Sequence, residues 1–195
     1  MKKTILAICT VCIASVAMAQ DDGGNKMWIG GQAGISSSTN DNDDKSATGV
    51  FGPNFGYMLN DKMAIGLGLL YSNTTEEDGA TEVETKSNLF EIAPFFRYYK
   101  SLGDNCSLYG ELEVAIGSGK SEVDGNDAGE FSTFGFGIAP GIQYWFHDNW
   151  SINTEIGVLG FDSTTDKSGE EDFKSSEFNF GLDLTSLSFG LNFHF

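Results

Sequence analysis

Large apolar residues alternate with small or polar ones along most of the chain, and this period of two constrains the fold more than any other feature. From Phe134 to Tyr144, every second residue is bulky and apolar, and glycine, alanine or glutamine lies between. The same alternation runs from Met63 to Tyr71 and from Leu187 to Phe195. A period of two is the repeat of a β-strand, whose successive side chains point to opposite faces. The sequence therefore predicts an all-β fold.

The small residues indicate which face is buried. In a soluble β-sandwich the apolar face forms the core, and polar residues cover the opposite face. Here glycine and alanine occupy nearly every second position, which suits the narrow interior of a small barrel whose bulky side chains face lipid. We therefore predict a transmembrane antiparallel up-and-down β-barrel of eight strands. The predicted strands are 26–36, 48–59, 63–72, 88–99, 106–117, 131–146, 150–161 and 177–195, with a bulge near Asp183 in the last.

The predicted connections alternate in length, as in outer-membrane barrels with short periplasmic turns and long extracellular loops. The short connections are 60–62, 100–105 and 147–149, and the long, acidic ones are 37–47, 73–87, 118–130 and 162–176. Aromatic residues near the short turns predict a girdle at the inner membrane interface. They are Tyr57, Tyr98, Tyr99, Tyr144, Trp145, Phe146 and Trp150. Three prolines, Pro53, Pro94 and Pro140, fall at outward positions within strands two, four and six.

The first nineteen residues have the pattern of a secretory signal peptide. Lys2 and Lys3 precede an apolar stretch, and 17–19 is a small-x-small cleavage site. We expect residues 1–19 to be removed, 20–25 to form a short periplasmic segment, and 26–195 to form the barrel in the bacterial outer membrane. Cys106 then remains as a single cysteine, which cannot form an internal disulfide.

The second strand and the C-terminus together resemble a known family. The second strand contains Gly52-Pro53-Asn54-Phe55-Gly56-Tyr57, and the chain ends in Asn192-Phe193-His194-Phe195. These features are similar to the small outer-membrane β-barrels that include the OmpA barrel and OmpX, grouped as a "porin family" barrel domain. The resemblance implies that Phe195, with Phe193, is an assembly signal for the barrel-assembly machinery. Because the sequence stops at Phe195, we expect no periplasmic peptidoglycan-binding domain to follow.

The small and polar face carries charged and aromatic residues that we assign to a luminal network. They are Glu91, Arg97, Tyr99, Tyr109, Glu111, Glu113 and Glu155, accompanied by Asn54, Gln143 and Asn153. Pairing across the 100–105 turn would bring Arg97 close to Tyr109 and Glu111. Four glutamates against one arginine allow two interpretations: a structural network that plugs the barrel, or a narrow path that favours cations.

The remaining features exclude several function classes. A net charge of −17 without a basic cluster opposes binding to nucleic acid. His147 and His194 both fall at the short-turn end, where neither can pair with a loop serine, so we predict no catalytic residues and no enzyme. Cys106 has no neighbouring ligand, so we expect no metal and no cofactor.

Two functions remain after these exclusions. The first is a structural or surface-interaction scaffold with a plugged lumen. The second is a narrow porin-like channel or a transporter of small hydrophobic solutes. In either case we expect a monomer whose partners are outer-membrane lipid, lipopolysaccharide and the barrel-assembly machinery. The acidic loops could also engage an extracellular partner.

Overall fold

The computed structural model describes residues 26–40, 43–81, 83–155, 158–167, 172–181 and 188–195, and most of these residues lie in strands. The strands are β1 (Met27–Thr39), β2 (Lys45–Asn60), β3 (Met63–Glu77), β4 (Glu84–Ser101), β5 (Cys106–Val123), β6 (Asn126–His147), β7 (Trp150–Glu155), β8 (Val158–Asp166), β9 (Phe173–Gly181) and β10 (Ser188–His194). Within the described ranges, no helix is both long and apolar enough to cross a membrane.

The strands form one antiparallel sheet that closes on itself. From β1 to β6 each strand pairs with the next, and β10 pairs with β1. β7 and β8 pair with successive parts of β6, while β10 pairs with β7 and β9 with β8. The ring therefore has eight strand positions, and the predicted eight-stranded barrel is confirmed. The last two predicted strands each correspond to two strands, and the bulge expected near Asp183 lies outside the described residues.

The outward and inward faces follow the predicted alternation. We call the outward-facing apolar side chains the apolar belt, which includes Phe51, Leu67, Ile92, Ile116 and Phe136, all between 43 and 60% exposed. Inward-facing residues of the same strands include the buried Ala64, Ala93 and Glu111. An exposed belt around a filled interior is the inverse of a soluble core, as expected when the bulky side chains face lipid.

The strands extend further than predicted on one side of the barrel. We call this side the hairpin end, where the connections are 40–44, 78–83 and 124–125, and the opposite side, with the turns 61–62, 102–105 and 148–149, the turn end. Most residues of the long loops expected over 37–47, 73–87 and 118–130 instead continue the ladder. The prediction was wrong because it ended each strand where the apolar alternation ends, whereas backbone pairing also continues through polar residues.

Polar cross-strand pairs stabilise these extensions. On the inner face, the Thr48 and Thr74 hydroxyls lie 3.2 Å apart, and those of Ser87 and Ser121 lie 3.0 Å apart. The extension of β5 and β6 ends in a two-residue connection, in which Asp124 and Gly125 have positive φ of 50° and 75°. Positive φ at both central residues is the conformation of the hairpin turn that suits twisted strands.

The prolines interrupt the hydrogen-bonded ladder. Pro53 is missing from the β2–β3 ladder and Pro94 from the β4–β5 ladder, although each aligns with its other neighbouring strand. Pro140 lies where β6 changes partner from β7 to β8. Because proline has no N–H to donate, one ladder bond is lost at each such position.

Candidate functional site in the barrel lumen

An ion pair between β4 and β5 lies at the centre of the lumen. Arg97 and Glu111 are directly opposite in the ladder, and both side chains point inward. They are only 3% and 6% exposed, and Arg97 Nε donates a hydrogen bond to the Glu111 carboxylate. Arg97 Nη2 also lies 3.7 Å from the Glu155 carboxylate on β7. The guanidinium is therefore held by carboxylates from two different parts of the wall.

Aromatic rings enclose the same guanidinium. The Arg97 Cζ atom lies 4.7 Å from the ring centroid of Tyr109, 4.8 Å from that of Phe95 and 5.8 Å from that of Trp28. A ring face attracts a cation most strongly where water is excluded. This explains how Arg97 Nη1 is accommodated, although it is buried and has no hydrogen-bond partner among the described residues. We call Trp28, Phe95, Arg97, Tyr99, Tyr109 and Glu111 the luminal plug.

The luminal plug separates two cavities. Towards the hairpin end, a cavity of about 170 Å³, which we call the upper cavity, is lined by Arg97 and all four luminal glutamates, Glu91, Glu111, Glu113 and Glu155. Towards the turn end, a cavity of about 300 Å³ is lined by Tyr99, Gln143, Trp145 and His194, among others. The plug side chains between the two cavities are each less than 8% exposed.

The glutamates of the upper cavity differ in their contacts. Glu91 accepts a hydrogen bond of 2.7 Å from the Thr133 hydroxyl, and Glu155 accepts one of 3.4 Å from Tyr109. Glu111 is bound by Arg97. Glu113 receives no hydrogen bond from the described residues, although it lines the cavity with the others. The structure thus brings all seven residues of the expected network to one region of the lumen, with the carboxylates on the hairpin side of the plug.

Amides connect the network around the wall. Asn153 Nδ2 donates to the Tyr109 hydroxyl at 3.4 Å, and Asn192 Nδ2 donates to Asn153 Oδ1 at 3.0 Å. Trp28 Nε1 donates to Asn54 Oδ1 at 3.1 Å. These bonds link β1, β2, β5, β7 and β10 through the interior, in addition to the backbone ladder.

Two plug residues, Trp28 and Phe95, are missing from the network predicted from the sequence. Trp28 is 1% exposed, and an added Cβ at Gly56 on the adjacent strand would overlap its ring. The signal was present, because Trp28 alternates with the outward Met27 and Ile29, and Gly56 leaves room for a large neighbour.

The predicted aromatic girdle is partly wrong. Five of its members face outward and are exposed, namely Tyr57, Tyr98, Tyr144, Phe146 and Trp150. Tyr99 instead belongs to the plug, with its ring centroid 5.6 Å from that of Tyr109. Trp145 points inward, and its ring lies 3.9 Å from that of His194. Both follow the strand alternation, which decides orientation more strongly than proximity to the interface.

His194 contacts a serine of a neighbouring strand. Ser151 Oγ on β7 lies 2.8 Å from His194 Nε2. Ser151 is 0% exposed and His194 is 3% exposed, so the contact is buried. It joins β10 to β7. His147 lies at the end of β6, and the described residues contain no group of three acidic, histidine or cysteine side chains that could hold a metal.

The C-terminal aromatics lie where the ring closes. Phe193 pairs with Ile29 on one side and Trp150 on the other, and its ring centroid is 5.0 Å from that of Trp150. The backbones of Phe195 and Met27 exchange hydrogen bonds of 2.9 and 3.1 Å. The two predicted assembly residues are therefore next to the first strand.

A closed ring of strands with an apolar exterior and a polar, filled interior is the architecture of transmembrane β-barrels. Residues 4–185 match the model of the family described as outer membrane protein beta-barrel domain. This chain belongs to that family. Its place is the bacterial outer membrane, and the apolar belt faces lipid.

One solved structure supports this fold, and a second is similar at a lower score. Neisserial surface protein A shares 15% identity with this chain, with a TM-score of 0.50 over 89% of this chain and 100% of that one. The N-terminal β-barrel domain of Pseudomonas aeruginosa OprF also shares 15% identity, with a TM-score of 0.45 over 89% of this chain and 100% of that one. No curated protein sequence matches the chain.

Proposed function

We propose that this protein is a structural and surface-interaction scaffold of the outer membrane, with a lumen closed to solutes. The observation that carries the proposal is the luminal plug, in which an ion pair and four aromatic side chains fill the interior between two cavities. An eight-stranded barrel has an interior just wide enough for side chains. The rigid barrel then serves to hold the extended hairpins outside the membrane.

The hairpin tips are the surface that such a scaffold presents. They carry Asp43, Asp44, Asp78, Asp124 and Asp127. Neighbouring hairpins are tied together, because Asp44 accepts a hydrogen bond of 2.8 Å from the Gly79 N–H, and Asp124 accepts one of 3.0 Å from the Glu84 N–H. An acidic, cross-linked rim suits contact with a basic partner outside the cell.

Conductance in a planar lipid bilayer tests the closed lumen. We expect no steady current from the wild-type barrel, and ion-conducting steps from a Trp28→Ala/Tyr109→Ala variant, which removes two rings of the plug. Tyr98→Ala is the matched control, because it removes an outward ring from β4 and should stay silent. Regular conductance steps from the wild type would refute the proposal.

A narrow cation channel is the second candidate, favoured by the surplus of carboxylates in the upper cavity. One guanidinium faces four glutamates there, which would attract cations. In that case the wild type would conduct with cation selectivity, and replacing Glu91, Glu113 and Glu155 with glutamine would reduce that selectivity. A silent wild type with a conducting plug variant would eliminate this candidate.

For assembly, we propose that Phe195 and Phe193 form the signal read by the barrel-assembly machinery. What supports this role is their position on the closing strand, where outward aromatic side chains remain accessible until β10 joins β1. A replacement of Phe195 should therefore reduce insertion in cells without changing the luminal plug.

A further inference from the structure

The cavity on the turn side of the luminal plug is open at the turn end of the barrel. Its volume is about 300 Å³, and its rim includes the exposed side chains of Lys26, Asn60 and Asp61. We call it the turn-end cavity. The short turns of outer-membrane barrels face the periplasm, so a periplasmic solute reaches this cavity without passing the plug.

Two buried polar atoms in the wall of the turn-end cavity have no hydrogen-bond partner among the described residues. They are Gln143 Oε1 and His194 Nδ1, and both residues are only 3% exposed. The other ring nitrogen of His194 is already engaged, because it lies 2.8 Å from Ser151 Oγ. A buried polar atom without a partner is costly and rare in folded proteins. The two atoms therefore point to a hydrogen-bonding molecule in the cavity.

Aromatic side chains lie beside the unpaired amide of Gln143. Trp145 is two residues further along β6, so both side chains point inward and are about 7 Å apart along the strand. Trp145 is half-buried, and its ring lies 3.9 Å from that of His194. Tyr99 also lines the cavity. An indole ring offers a flat face on which another planar ring can stack.

The charges of the turn end balance. Besides two histidines, the described side chains there include three lysines and three aspartates, namely Lys26, Lys62, Lys100, Asp61, Asp104 and Asp148. Of these six, Lys26 and Asp61 line the cavity, one of each sign. The upper cavity, by contrast, is lined by four glutamates and one arginine. The turn-end cavity therefore selects by shape and hydrogen bonding, which suits an uncharged ligand.

The side-chain amide of glutamine places an acceptor beside a donor. Its complement is a molecular edge on which a donor lies beside an acceptor, and glutamine pairs with the edge of adenine in this bidentate way. From these observations we infer that the turn-end cavity binds an uncharged, planar heteroaromatic molecule with such an edge, of the class that includes nucleosides and nicotinamide. The ring would stack on Trp145, its edge would pair with Gln143, and His194 Nδ1 would bond to a further polar atom. This inference goes beyond the proposed scaffold function and requires neither a conducting lumen nor a partner at the hairpin tips.

Titration calorimetry of the refolded full barrel in detergent micelles tests the inference with adenosine, cytidine and nicotinamide. Each is uncharged and has an amino or amide donor beside an acceptor. We expect saturable binding, with adenosine preferred over purine riboside, which has the same ring and sugar but no amino donor. Gln143→Leu should weaken binding by about tenfold to a hundredfold through loss of the bidentate pair. Trp145→Leu should weaken it by a similar factor through loss of stacking.

Matched variants separate the site from general effects on the barrel. Gln32→Leu makes the same change at an inward glutamine that lines the upper cavity, and Trp150→Leu removes an outward tryptophan at the turn end. Both should keep the wild-type affinity. Trp145→Phe retains a ring and should still bind, which shows that the loss in Trp145→Leu does not reflect misfolding. Gln143→Leu should unfold at the same urea concentration as the wild type or higher, because a buried carbonyl without a partner has been removed.

Three results would overturn the inference. The first is no binding of any of the three ligands, which would mean that water alone fills the cavity. The second is equal affinity for adenosine and purine riboside. The third is an equal loss of binding in Gln143→Leu and Gln32→Leu.

Discussion

Removal of the Arg97 guanidinium should destabilise the barrel more than any other single charge removal in the upper cavity. Arg97→Met keeps the apolar stem between the aromatic rings and deletes the cation. It leaves Glu111, only 6% exposed, without its partner in the lumen. Breaking a buried ion pair from one side costs about 3–5 kcal/mol, because the remaining charge is buried and uncompensated. We therefore expect a loss of about 4 kcal/mol.

Glu113→Gln is the matched control, since Glu113 lines the same cavity but receives no hydrogen bond from the described residues. Its removal should cost less than about 1 kcal/mol. An Arg97→Met/Glu111→Gln double variant should recover part of the loss, because the unpaired carboxylate is gone. Urea unfolding in detergent micelles, followed by tryptophan fluorescence, measures the three free energies. Equal costs for Arg97→Met and Glu113→Gln, or no recovery in the double variant, would refute the reasoning.

Three further predictions concern packing, assembly and pH. Gly56→Ala should destabilise the barrel by about 1–3 kcal/mol, because its Cβ would overlap the Trp28 ring, whereas Gly110→Ala, with no atom near its Cβ, should change the unfolding free energy by less than about 0.5 kcal/mol. Phe195→Ser should lower the amount of heat-modifiable barrel in outer-membrane fractions, and an unchanged amount would contradict its role in assembly. Asp78 accepts hydrogen bonds from the Thr81 N–H and hydroxyl and from the Ala80 N–H, which hold the pKa of its carboxyl below the ordinary value. Because the folded pKa is lowered, the 78–83 connection is stabilised at neutral pH and loses this contribution as pH falls below about 4. Below that pH, the amide of Thr81 should exchange faster relative to the amides of the neighbouring strands. Asp78→Asn should remove this pH dependence.

The alternation of side chains predicted the fold and most orientations in the lumen. It placed Arg97 opposite Glu111, and the structure pairs them. It did not reveal how far the strands continue, because a hydrogen-bonded ladder such as β5–β6 needs no apolar face to persist through polar residues. Trp145 was assigned to the girdle from its closeness to the interface, although its place in the alternation directed it inward. Tyr99 was assigned both to the girdle and to the luminal network, and the structure places it in the lumen.

Contacts between distant strands could not be read from the sequence at all. The hydrogen bond between Ser151 and His194 depends on β10 lying beside β7. The aromatic side chains around Arg97 on β4 include Trp28, which lies on β1. Pairing within a hairpin follows from local order, whereas such contacts depend on how the sheet closes. The composition of the lumen was therefore predictable, and its arrangement was not.

The junction between β1 and β10 has a consequence for the order in which the barrel forms. Trp28 pairs with His194, so the contact that closes the ring joins residues from opposite ends of the described chain, while every other neighbour of β1 to β5 is adjacent in sequence. Contacts between residues far apart in sequence carry the largest loop-closure entropy and form late. The hairpins should thus assemble first as an open, curved sheet, and its two edge strands, β1 and β10, should pair last. Trp28 would reach its buried position, and the plug its final packing, only in this last step, so that filling the interior and sealing the wall are a single event.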